Sequence, residues 1–99
     1  MIRGTTPTHV FKLPVDAGMI QGFMISYAQN GVEILKKEMY DCEIADHFAG
    51  VTLTQEDTLA LNPKNNVQIQ ARLLTKEGAA FASPVYVVNV MDCLNSEVM

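Results

Sequence analysis

The side chains that could do chemistry are few. The chain holds two histidines, His9 and His47, and two cysteines, Cys42 and Cys93. A structural zinc site needs two close-spaced ligand pairs, and Cys42 with His47 is too loose a spacing to be one. Cys42 and Cys93 form no C-x-x-C pair; reduced, partly covered thiols are the expectation, and a disulfide would require their strands to lie side by side. For nucleophilic catalysis Ser26, Ser83 and Ser96 lack the G-x-S-x-G turn, and neither histidine has a recognisable triad partner. Glu56 and Asp57 are adjacent carboxylates suited to capping a helix and facing its dipole; acid–base work would need one of them in an apolar cleft. Asp41, Glu43 and Asp46 are an acidic group, without the oxygen-dense, glycine-containing loop of a calcium site. Lys36 and Lys37 point to opposite faces if they lie on a strand, so they make no basic stripe for nucleic acid. The six glycines stand singly, with no phosphate-cradling loop. The expectation is a protein with no catalytic residue, no metal and no cofactor.

The elements that must position these residues are strands. No segment of ten residues sustains a helical apolar stripe, and alternation dominates instead. Val67, Ile69, Ala71 and Leu73 point one way, while Gln68, Gln70 and Arg72 point the other. That is a half-buried antiparallel strand. Lys76-Glu77-Gly78 supplies a three-residue loop with glycine at the left-handed position. Thr75 then lies opposite Ala79, Leu73 opposite Phe81, Ala71 opposite Ser83, Ile69 opposite Val85 and Val67 opposite Val87. Ser83 is expected to face the core, bonded to the backbone. Pro84 cannot donate to a ladder and marks a bulge or an edge.

Asn30-Gly31 is a second hairpin turn. With Gln29 opposite Val32, Tyr27 faces Ile34, a good first rung, while Ile25 opposite Lys36 and Phe23 opposite Glu38 are poor ones. A bulge near Leu35 that turns Leu35 inward, or a pairing that ends early, resolves the conflict. Weaker strands are expected at His9–Leu13, Asp41–Ala45 and Phe48–Thr54, with Val88–Cys93 continuing the last long strand. Between Thr54 and Asn62 one helical turn fits, with Thr54 as N-cap and Asp57 at the third helical position.

About seven short antiparallel strands in 99 residues give an all-β fold, a two-layer β-sandwich with immunoglobulin-like topology as the leading choice. The tight Asn30-Gly31 hairpin keeps strands two and three in one sheet, which disagrees with the simplest immunoglobulin order. A jelly-roll fragment or a small barrel stays open. Residues 1–99 are expected to be a single domain, with a flexible arm over about 1–7 and a tail over about 95–99.

Charge and targeting narrow the partners. Seven Lys/Arg against eleven Asp/Glu leave a net charge of −4, with no general attraction for nucleic acid or anionic lipid. The start Met1-Ile2-Arg3-Gly4-Thr5-Thr6-Pro7 has no apolar core of a signal peptide, and no window approaches a membrane span. Synthesis and folding in the cytoplasm are expected. Six methionines and three tyrosines exceed what so small a core absorbs, and both residue types are favoured at protein contacts.

Three stretches carry a resemblance: Gly4-Thr5-Thr6-Pro7-Thr8-His9-Val10-Phe11, Tyr27-Ala28-Gln29-Asn30, and Val51-Thr52-Leu53-Thr54-Gln55-Glu56-Asp57-Thr58-Leu59. Together with Val67–Thr75 and the ending Leu94–Val98, they look like a group of small proteins encoded in prophage-like regions of Gram-positive gut bacteria. The resemblance brings no catalytic site. It implies a phage structural or accessory protein, virion-associated, that binds other phage proteins or itself. The candidate contact residues are Thr5, Thr6, Thr8, Tyr27, Tyr40 and Tyr86. The alternative is a carbohydrate- or ligand-binding accessory sandwich using Tyr27, Tyr40 and Tyr86 as a stacking platform.

Overall fold

A computed structural model describes residues 1–99. Eight strands and one short helix follow the chain: β1 Thr8–Lys12, β2 Ile20–Gln29, β3 Val32–Glu38, β4 Glu43–Ala45, β5 Phe48–Thr52, α1 Gln55–Leu59, β6 Val67–Thr75, β7 Ala80–Ala82 and β8 Tyr86–Val88. They form two antiparallel sheets, one in the order β1-β5-β4 and the other β3-β2-β6 followed by β7 and β8. The fold is an immunoglobulin-like β-sandwich. The hairpin that disagreed with the simplest order is accommodated, because variable-type domains carry an extra strand beside the third one in the same sheet, and β3 occupies that place.

The alternating segment behaves as its pattern requires. Val67, Ile69, Ala71, Leu73 and Thr75 are buried, and their neighbours are exposed or half-buried. Val67, Ile69, Ala71 and Leu73 join Leu13, Ile20, Phe23, Ile25, Tyr27, Ala49, Val51, Leu53, Leu61 and Val90 in one apolar core. Its size is a first-order source of stability, since each fully buried large apolar side chain contributes roughly 1.5–3 kcal/mol.

Asn30 and Gly31 both adopt positive φ, 51° and 76°, the backbone of a tight primed turn that twists with its strands. The register slips by one between Tyr27 and Ala28, so Tyr27 faces Leu35 and not Ile34. The expected bulge is present, Leu35 packs against the core, and the pairing runs on to Met24 opposite Glu38. Gln29, buried at the end of β2, accepts from Asn62 N–H and donates to Asn62 and Asn65 carbonyls. It thereby satisfies the loop before β6.

The second hairpin holds its register as far as Ser83 and then departs from it. Leu73 faces Phe81 and Thr75 N–H bonds Ala79, as expected. Beyond Pro84 the register shifts by one: Ile69 faces Tyr86 and Val67 faces Val88, not Val85 and Val87. The cause is local. Ala71 N–H bonds the Ser83 hydroxyl at 3.0 Å in place of a strand carbonyl, and that hydroxyl donates to Pro84 O. Ser83 is thus backbone-bonded as expected, but half-buried rather than in the core. The slip turns Tyr86 and Val88 toward the interior side and leaves Val85 and Val87 exposed.

Two further expectations are corrected. Val88–Cys93 is not a strand; after β8 the edge carries one parallel bridge, Met91 with Ile2. The first five residues are not a free arm. Arg3 N–H bonds Met91 O, and the Arg3 guanidinium reaches Asp92 at 2.6 Å and Leu59 O at 2.8 Å. The buried Thr58 hydroxyl accepts from Gly4 N–H and donates to Thr5 O, each at 2.9 Å. Thr58 lies in α1, whose capping box is the expected one: Thr54 caps Asp57 N–H, and Asp57 answers to Thr54 N–H.

Candidate interaction site

The sandwich is closed along one side and open along the other. On the closed side a single turn of 3-10 helix, Met39–Asp41, carries the chain from β3 to β4, with Met39 and Cys42 packed on the core. On the open side stand β1 and the β7–β8 pair, and each is hydrogen-bonded along one edge only. No strand runs between β1 and β8 themselves; past Val88 the open side is closed by Met1–Arg3, hydrogen-bonded to Asn89 and Met91. The gap is a groove of about 850 Å³. Its walls are Phe11 from β1 and Phe81, Tyr86 and Val88 from β7 and β8, and its floor includes Phe23 and Leu73 from the core.

The sequence builds both walls by parity. In β1 the inward positions are His9 and Phe11, half-buried, followed by buried Leu13, while Thr8, Val10 and Lys12 face out. In β8 the Pro84 bulge sets the parity that turns Tyr86 inward, where its ring lies 6.2 Å from that of Phe11. The two unpaired edges are separated by aromatic side chains and by no backbone partner. Unpaired edges of this kind are templates for an added strand.

One polar tie crosses the interior beside the groove. His9 Nδ1 on β1 and the Tyr27 hydroxyl on β2 lie 2.7 Å apart, joining the two sheets. Burial pushes the Tyr27 hydroxyl well above its ordinary range, helped by the negative potential of Cys42 and Asp57. Burial also lowers the pKa of His9, which keeps the ring neutral near pH 7. The groove therefore offers an apolar surface with Lys12 at one end as its charged rim residue.

The candidate contact residues divide. Tyr27 is fully buried in the core and cannot serve as a surface platform, which corrects that expectation. Its parity with buried Phe23 and Ile25 was the available signal. Tyr86 is 49% exposed and lines the groove. Tyr40 is 81% exposed but stands on the Met39–Asp41 turn, on the closed side. Thr8 lines the groove, with its hydroxyl 2.8 Å from that of Thr52. Thr5 and Thr6 are exposed in the link from the docked first residues to β1. Phe11 and Phe81 are the wall residues that the sequence reading passed over.

The other chemical candidates do not converge. Both cysteines are free thiols, and burial raises the pKa of Cys42. No three His, Cys, Asp or Glu side chains come together. Asp41 instead caps its own turn by accepting from Glu38 N–H. Lys36 and Lys37 do face apart: Lys36 pairs with Glu38 at the surface, and Lys37 reaches Asp57 at 2.8 Å under partial cover. Burial alone would raise the Asp57 pKa, but the Lys37 ammonium and Thr54 N–H outweigh it and hold the carboxyl below its usual value. No helix is long and apolar enough to cross a membrane.

No family model and no curated protein matches the chain. Among solved structures the fold is similar to the extracellular domain of mouse leukocyte-associated immunoglobulin-like receptor 1, seen there as a strand-swapped dimer. The TM-score is 0.54 at 12% sequence identity, covering 92% of this chain and 84% of the receptor domain. At that identity the likeness concerns the fold alone, and it places the chain in the immunoglobulin-like class.

Proposed function

We propose that this domain is a non-catalytic association module whose open groove receives an extended strand from another protein chain, in the setting of a phage or prophage structural or accessory protein. The observation that carries the reading is the groove of about 850 Å³ between two strand edges that have no partner. An extended segment would satisfy the edge N–H and C=O groups and bury alternate side chains against Phe11, Phe81 and Tyr86. The phage setting rests on the sequence resemblance over Gly4–Phe11, Tyr27–Asn30 and Val51–Leu59. The mouse receptor domain of similar fold is seen as a strand-swapped dimer, which supports pairing through strands. The carbohydrate alternative loses Tyr27, leaving Tyr40 and Tyr86 on different sides of the sandwich.

The test is a panel of extended hexapeptides with apolar residues at alternate positions, titrated into isotope-labelled protein. Binders should shift the amides of β1 and β8, and Tyr86→Asp should abolish those shifts while the circular dichroism stays that of a β-sandwich. A panel with no binder, or binders that map to β3 and β4, would overturn the reading.

A further inference from the structure

We infer that His9 selects the strand that the groove receives. The incoming segment carries an uncharged hydrogen-bond acceptor (an asparagine, glutamine, serine or threonine) where it meets His9 Nε2, and an apolar residue two positions away, between Phe11 and Tyr86. This rests on the groove reading above and adds the chemistry of the occupant.

The core fixes which ring nitrogen of His9 is left for a partner. Tyr27 is wholly buried, and its hydroxyl has a single hydrogen-bond partner, His9 Nδ1 at 2.7 Å. A proton on Nδ1 would leave the phenol hydrogen in the core without an acceptor, which is the costlier arrangement. Tyr27 therefore donates and Nδ1 accepts. In the neutral ring the remaining proton then sits on Nε2. Nε2–H has no partner within the chain, and it is not sealed off, since the one buried side-chain nitrogen or oxygen without a partner is Arg3 Nε. His9 stands on the inward side of β1 and lines the groove, so this donor opens on the groove.

The other polar side chains along the groove are engaged or lie on its rim. The Thr8 hydroxyl is bonded to that of Thr52. The Ser83 hydroxyl accepts from Ala71 N–H and donates to Pro84 O. Lys12 is exposed. His9 Nε2–H is thus the one neutral side-chain donor that an occupant meets among Phe11, Phe23, Ile69, Tyr86 and Val88. An apolar side chain laid against it would strand that donor away from water. A carboxylate would carry the cost of its own desolvation into an apolar groove. An amide or hydroxyl oxygen incurs neither penalty. The spacing follows from parity: His9 and Phe11 are successive inward positions of β1, and an extended strand repeats its inward side chains at the same interval.

The experiment titrates three acetylated, amidated hexapeptides into the isotope-labelled full chain near pH 7.5. All three carry valine at two of the three inward positions and lysine at the outward ones, so no second side chain can accept. They differ at the last inward position, which holds asparagine, leucine or aspartate, side chains of nearly one shape. The asparagine peptide should bind roughly fivefold more tightly than the leucine peptide, and more tightly than the aspartate peptide. His9→Gln should keep that preference, because its amide can accept from Tyr27 and donate to the peptide; His9→Phe should lose it. In the unsubstituted protein the imidazole nitrogen resonances should show Nε2 protonated and Nδ1 bare. Four results overturn this inference and leave the groove reading standing: peptides that shift β1 and β8 but bind equally with asparagine and leucine, a preference that survives His9→Phe, an aspartate peptide that binds tightest, or a proton found on Nδ1. Three peptides that all fail to bind overturn the groove reading and this inference with it.

Discussion

Replacing Tyr27 by Phe isolates the tie between the two sheets. The ring keeps its place among fully buried neighbours, so no cavity opens and the cavity term of a large-to-small change is absent. What goes is one hydrogen bond of 2.7 Å to His9 Nδ1. A neutral bond of this kind contributes about 0.5–1.5 kcal/mol net, and leaving a buried partner unpaired costs about 1–3 kcal/mol. His9 is half-buried at the groove, where water can reach its ring, so the lower part of the range applies and the expected loss is about 1 kcal/mol. For a domain of this size that lowers Tm by roughly 4–8 °C. Tyr27→Ala removes the ring too and should cost about 3–5 kcal/mol. Urea unfolding gives the values, and a double-mutant cycle with His9→Ala should return a coupling of about 1 kcal/mol. A Tyr27→Phe variant within about 0.3 kcal/mol of the parent, with zero coupling, would refute the reasoning.

Other substitutions probe the remaining ties. Thr58→Val keeps shape but strands Gly4 N–H and Thr5 C=O; a loss of about 2 kcal/mol and faster exchange of the Gly4 amide are expected, and an unchanged amide would contradict the docked start. Lys37→Met should cost about 1–2 kcal/mol at pH 7, between the worth of an exposed pair and a buried one. Because Asp57 sits below its unfolded value of about 3.9, its share of stability is present above that pH and is lost as pH falls through the folded value; the acid limb should flatten in Lys37→Met. For His9 the folded pKa lies below the unfolded value of about 6.5, so the unfolded chain binds more protons on acidification and stability falls below pH 6.5. Urea midpoints at pH 7.5 and 5.5 should differ less in His9→Gln than in the parent.

The parts of this fold that were legible in the sequence are those whose cause is local. The alternation over residues 67–73, the primed turn at Asn30-Gly31 and the Thr54–Asp57 capping box each depend on neighbours within a few positions. The bulge beside Leu35 was legible because the two apolar patterns could not otherwise be reconciled. Pro84 announced a break, but its direction depended on the Ser83 hydroxyl replacing a carbonyl opposite Ala71, which no pattern encodes. The docking of residues 1–5 was hidden for a related reason: its anchor, Thr58, lies more than fifty positions away. Of the candidate site, Thr8 and Tyr86 were found by residue type alone. The groove itself was not legible, because it is a space between two sheets whose packing is set by the whole chain.

Hydrogen–deuterium exchange on the associated protein, compared with Tyr86→Asp, tests the central claim most directly. The account predicts slowed exchange at residues 8–12 and 86–88 in the parent, and loss of that protection in the variant. Protection confined to β3, or to the outer faces of β2 and β6, would place the partner elsewhere and contradict it.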